Sequence, residues 1–116
     1  MRRTALGLLD LLADFRPWLT GSVLDGTAGQ HSRIDILLFA DSAKEVEIFL
    51  LNRGLSLQHA EVRNERVEAV LVLETDTTDA NLIIMPPALE RVAFKHRDGR
   101  PRERIRSAAL RALIDD

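Results

Sequence analysis

The chain contains no cysteine and no tyrosine, and its 116 residues include only one tryptophan, four phenylalanines and four prolines. Without cysteine there is no disulfide, no thiolate metal ligand and no cysteine nucleophile, a composition that suits a reducing compartment. With so few rings, the 46% of residues that are hydrophobic have to build an aliphatic core. Long apolar runs are missing as well. None approaches the roughly 20 residues needed to cross a bilayer, and the opening MRRTALGLLDLLADF is broken by Asp10 and Asp14 where a secretion signal needs an unbroken apolar stretch. The expectation is a cytoplasmic protein that does not span a membrane. The length suits a single domain, residues 1–116, with one core.

Net charge is −2, but it is unevenly placed. Residues 91–111 carry eight Arg or Lys against Asp98 and Glu103, whereas residues 1–90 carry eight basic and fourteen acidic side chains. A basic segment of this kind either meets an anion or packs against acidic surface of its own fold or of a second copy. It lacks the interleaved aromatics of a sequence-specific nucleic-acid module, so contact with nucleic acid would be nonspecific.

Apolar positions place the elements. Ala5, Leu8, Leu12 and Phe15 recur at helical steps and predict an amphipathic helix ending before Pro17. WLTGS reads as a short strand running into a turn, and IDILLFA (34–40) as a strand buried on both faces. Ser42 with Glu45 forms a capping-box pattern and Gly54 suits a helix end, predicting a helix over 42–53. Residues 55–62, 67–74 and 80–85 read as strands, the last stopped by Pro86 and Pro87. RDGR (97–100) reads as a tight turn. A final helix is predicted to start at Pro101, with Ile105, Ala109, Ala112 and Leu113 along one side. The order predicts an α/β or α+β domain, a mixed sheet covered by helices.

The stretch GSVLDGTAGQHSRIDILLFA (21–40) carries the chemistry. A strand ending in Gly21-Ser22 leaves backbone amides and a hydroxyl free to approach phosphate oxygens. About ten residues later come Arg33, Ile34 and Asp35, and by strand alternation positions 33 and 35 share a face. Two carboxylates there would hold Mg2+ against a nucleoside triphosphate.

In Gly21, Ser22, Gly26, Ala28, Ser32, Ile34, Asp35 and the apolar run that follows, over roughly residues 3–85, the sequence resembles the nucleotidyltransferase superfamily. The superfamily shares its fold with DNA polymerase β, and the likeness is to the minimal nucleotidyltransferases of prokaryotes in particular. The resemblance implies a nucleotidyltransferase-like mixed β-sheet flanked by helices, and transfer of a nucleotidyl group from a triphosphate such as ATP with Mg2+ bridging phosphate and carboxylates. It implies phosphate contacts at Gly21, Ser22 and Ser32 and a metal or catalytic role for Asp35. The first carboxylate position of the family pattern is Arg33 here, and the third aligns with Asn81, which offers a neutral carbonyl oxygen. Asp79 shares the face of Asn81, about 6 to 7 Å away along the strand, and partly compensates.

A guanidinium repels Mg2+, which favours oxygen ligands. Three readings of Arg33 stay open: a remnant in a decayed site, a phosphate ligand that takes over the role of the metal, or residual metal-dependent activity through Asp35 and Asp79 or with a ligand from a partner. The leading expectation is a nucleoside triphosphate-binding protein with weak or lost nucleotidyl transfer, a pseudoenzyme. The alternatives are a non-catalytic partner-binding module, such as the antitoxin half of a toxin-antitoxin pair, and a self-associating domain. His31, His59 and His96 have no metal-ligand spacing, and Ser22 has no partner set for nucleophilic attack.

Overall fold

In the computed structural model the described residues are all but Gln30, Arg63, Ala93, His96, Arg97 and Asp116. Helix α1 (Arg2–Leu11) is followed by a 3-10 turn at Ala13–Phe15, strand β1 (Trp18–Thr20) and a five-residue helix α2 (Gly21–Asp25). Strand β2 (Ile34–Phe39), helix α3 (Ala43–Leu51), then strands β3 (Leu57–Ala60), β4 (Ala69–Leu73) and β5 (Ala80–Met85) come next. A second 3-10 turn at Pro87–Arg91 leads to strand β6 (Arg104–Ile105) and helix α4 (Ser107–Asp115).

The six strands form one mixed sheet in the order β3-β4-β5-β2-β1-β6. Only β2 and β5 run parallel, with Asp35 opposite Asn81 and Leu37 opposite Ile83, and α3, β3 and β4 make the connection between them. The other pairs are antiparallel.

The two faces of the sheet differ. Ile34, Ile36, Leu38, Ala80, Leu82 and Ile84 are fully buried. They join a single core with Leu8 and Leu9 of α1, Leu12 at its C-terminal cap, Val46 and Leu50 of α3, and Leu110 of α4. The helices therefore cover that face, and the alternate residues of the central strands, Asp35, Leu37, Asn81 and Ile83, are left half-buried on the other. Phe15 and Phe49 meet edge to face at 5.2 Å, fastening the segment after α1 to α3.

Helix α3 starts where its cap pattern predicts. The Ser42 hydroxyl accepts from the Glu45 amide at 3.3 Å, and the turn after the helix ends at Gly54 in the left-handed region, φ 73°. Two expectations are corrected. Gly21-Ser22 is not an open turn: it begins α2, because Val23 and Leu24 have core surface to bury. The final helix does not start at Pro101. Arg104-Ile105 is an edge strand, Ile105 beside Leu19 and Arg104 beside Thr20, and the alternation RERIR suits this, sending Ile105 to the core face and its arginine neighbours to the opposite face. Helix α4 begins at Ser107 and packs through Leu110, with Ile114 against the core, leaving Ala109, Ala112 and Leu113 exposed.

Of the RDGR turn, Asp98, Gly99 and Arg100 are described and Arg97 is not. Around it Lys95 bridges Pro101, the Arg102 amide donates to the Phe94 carbonyl at 2.8 Å, and Gly99 has φ 88°. Among the described residues no helix is long and apolar enough to cross a membrane.

Candidate functional site

Asp35 sits in β2 between Thr20 of β1 and Asn81 of β5. Gly21 follows Thr20 directly, with φ 76°, and a Cβ built on it would lie 2.5 Å from Asp35 Oδ2. Two demands, a left-handed backbone and a carboxylate pressed against the α-carbon, thus select glycine at this position. Ser22 receives the end of α2: its carbonyl accepts from the amides of Thr27 and Ala28 at 3.0 and 3.1 Å. The Ser32 hydroxyl accepts from the Gly29 amide at 2.9 Å, and its carbonyl accepts from the Thr78 hydroxyl at 3.0 Å, so Ser32 ties the loop before β2 to the segment before β5.

Arg33, Asn81 and Asp35 form a hydrogen-bonded chain. Arg33 Nη1 donates to Asn81 Oδ1 at 3.3 Å, and Asn81 Nδ2 donates to Asp35 Oδ1 at 2.9 Å. Reversing the amide would set carbonyl oxygen against carboxylate and NH2 against guanidinium, so its neighbours fix its direction. Asp79 precedes β5 and its carbonyl accepts from the Ile34 amide at 3.1 Å; its side chain makes no hydrogen bond among the described residues.

Gly21 and Asp35 line a cleft of about 650 Å³. Arg33 and Asn81 are not among its lining residues; Asn81 connects to it through its hydrogen bond to Asp35, and Arg33 through Asn81. Ser22, Ser32 and Asp79 do not line the cleft. Its far wall is Arg100, Pro101, Arg102 and Glu103, residues that sequence reasoning did not connect with the site. Their one signal was the excess of positive charge in 91–111; what brings them there is the pairing of β6 with β1.

The donor set does not suit a Mg2+ ion. Asp35 is one carboxylate where such an ion needs several oxygens. Asn81 turns its amide nitrogen to Asp35 and spends its carbonyl on Arg33, whose charge opposes a cation. No group of three acidic or histidine side chains poised for a metal occurs among the described residues.

A second arginine and carboxylate cluster stands on the same side of the sheet. Glu90 is buried, with Oε1 accepting from Arg16 at 2.8 Å and Oε2 from Trp18 Nε1 at 2.9 Å and Arg106 Nη2 at 2.7 Å. Burial works to raise its pKa, but the hydrogen bonds from Arg16 and Trp18 and the charges of Arg16 and Arg106 outweigh it and hold the carboxyl below its ordinary value. Arg104 stacks on Trp18 at 4.4 Å and donates to the Glu90 carbonyl. Part of the basic segment is thus neutralised within the fold. Arg111 also meets Asp10 at 3.2 Å, between α4 and α1.

No family model matches the chain, and no curated protein does. Among solved structures it is similar to a cytoplasmic RNA terminal U-transferase, with 19% identity over 72% of this chain and a TM-score of 0.51. The match covers 27% of that protein, so the chain spans about a quarter of its length. The likeness is one of fold: a nucleotidyltransferase-like mixed sheet flanked by helices.

Proposed function

We propose that this nucleotidyltransferase-like domain binds a nucleoside triphosphate in the cleft beside Gly21 and Asp35 without requiring Mg2+, and that its nucleotidyl transfer is weak or lost. The observation that carries the reading is the Arg33–Asn81–Asp35 chain. It sets a guanidinium where the resemblance calls for a carboxylate, and it holds that guanidinium by one nitrogen only. The remaining donors of the fork match phosphate oxygens, and Arg102 on the opposite wall adds a second positive charge. With Asn81 engaged on both sides, Asp35 is the one carboxylate of this hydrogen-bonded chain; Asp25 and Glu103 also line the cleft, but among the described residues no group of three such side chains is poised for a metal.

Calorimetric titration with ATP and GTP in EDTA tests this. Wild-type protein is expected to bind at least one of them, Arg33→Ala to bind it at least tenfold more weakly, and pyrophosphate release, assayed separately with Mg2+ present, to stay at background. Absence of nucleotide binding in the wild type, or undiminished affinity in Arg33→Ala, overturns the reading.

One observation favours a second reading, a partner-binding module. Ile48 and Leu51, three residues apart on α3, are 48% and 53% exposed. Association through such a face is apolar, so light scattering would find a dimer or complex that persists at high salt, in contrast to pairing through the basic segment.

A further inference from the structure

On the sheet face that the helices leave uncovered, protection is uneven. Phe39 and Met85, at one end of β2 and β5, are 3% exposed, but one step back along the same strands Leu37 and Ile83 are only half-buried, as is Val70 beside Ile83 in β4. These three form the floor of a cavity of about 490 Å³, a volume typical of small-molecule sites. Phe94 contributes to its wall, with the Arg66 guanidinium 5.8 Å from the ring.

The rim of this cavity is cationic. Arg91, Lys95, Arg102 and Arg104 line it, against Glu61 as the one carboxylate among the described residues. Among the described residues, the side chains of Arg91, Lys95 and Arg102 make no hydrogen bond or ion pair. Arg104 lies 4.4 Å from the Trp18 ring and 5.5 Å from that of Phe39, and its Nη1 is buried without a hydrogen-bond partner. Burial pushes its pKa below the ordinary value, the mark of a cation that a nearby anion would stabilise. An apolar floor under several positive charges concentrates their field and selects a negative ligand that also has apolar surface to bury.

We propose that this cavity binds a small organic anion with an apolar body, its charged head at Arg91, Lys95 and Arg102 and its body on Leu37, Val70 and Ile83. The site adjoins the nucleotide cleft, sharing Thr20, Ile83 and Arg102 with it. It includes neither Gly21 nor Asp35, and Arg91 and Lys95 line this cavity and not the cleft, so the proposal does not rest on nucleotide binding; the two ligands would compete for Arg102.

Octanoate and octanol share an alkyl tail and differ in charge, so calorimetry of the full chain with each is the test. The expected result is saturable one-to-one binding of octanoate, at least tenfold tighter than octanol. Val70→Trp, which fills the cavity, removes it. Arg91→Gln combined with Lys95→Gln, both exposed positions, lowers octanoate affinity at least tenfold with an unchanged thermal midpoint. Octanoate binding no tighter than octanol overturns the proposal, as does undiminished binding in folded Val70→Trp or in the double variant. Should Val70→Trp fail to fold, the double variant decides alone.

Discussion

Glu90 and Asp35 both stand on the sheet face away from the helices, and both have arginine nearby, but the surroundings make them different objects. The Glu90 side chain is 10% exposed, and both its oxygens are taken by donors from β1, from Arg106 just after β6, and from Arg16 in the turn before Pro17. Asp35 is half-buried, accepts one hydrogen bond from Asn81, and presents its other oxygen to the Gly21 backbone beside an open cleft. Arg33 reaches it only through the amide. The first cluster is closed and joins segments of the fold; the second keeps donors and acceptors unspent. The same kinds of charged group, carboxylate and guanidinium, are closed off or left available according to how much of their hydrogen-bonding capacity the fold has already consumed.

Breaking the closed cluster should cost most. Glu90→Ala leaves the Trp18 donor and two guanidiniums without their acceptor. Arg16 and Arg106 are 64% and 51% exposed and can return to water, so the loss should be about 2 kcal/mol rather than the larger penalty of a fully buried pair. Urea unfolding measures it. The cluster also has a pH signature. The folded carboxyl titrates below its ordinary value of 4.5, so its stabilisation is complete above that value and is lost as pH falls through the lower, folded pKa. Stability of the wild type should therefore decline more steeply below about pH 4.5 than that of Glu90→Gln, as followed by thermal midpoints across pH.

The open cluster should respond less in stability and more in binding. Gly21→Ala combines a left-handed backbone with a Cβ 2.5 Å from Asp35 Oδ2; it should cost about 1 to 2 kcal/mol and, by displacing Asp35, weaken ATP binding at least tenfold in calorimetry. Asn81→Ala removes two half-exposed hydrogen bonds and should cost about 0.5 to 1 kcal/mol in urea unfolding. If Asn81→Ala proved as destabilising as Glu90→Ala, the contrast between the two clusters would collapse.

Much of the frame was legible because local rules and tertiary packing agree. Ser42, Glu45 and Gly54 bound α3 within the usual uncertainty of helix ends, and the apolar run at 34–40 and the segment 80–85 became the central parallel pair. Strand β6 was not legible. Pro101 and the arginines of RERIR fit a helix start, and the alternation that sends Ile105 to the core face and Arg104 to the opposite face has meaning only beside Leu19 and Trp18, more than eighty residues earlier. The Glu90 cluster was hidden for the same reason: its partners Arg16 and Trp18 lie seventy or more residues away in sequence. Arg33 announced itself by type, but its tether through Asn81 depends on the β2 and β5 register, which composition and periodicity do not specify.

The most direct test of the central claim, that Arg33 does electrostatically what a metal would otherwise do, is the ATP affinity of wild type and Arg33→Asp measured in EDTA and in Mg2+. The account predicts that wild-type affinity is the same in both media, and that Arg33→Asp loses binding in EDTA and regains it only with Mg2+. Wild-type affinity that rises tenfold or more with Mg2+, together with an Arg33→Asp variant indifferent to the metal, would contradict it.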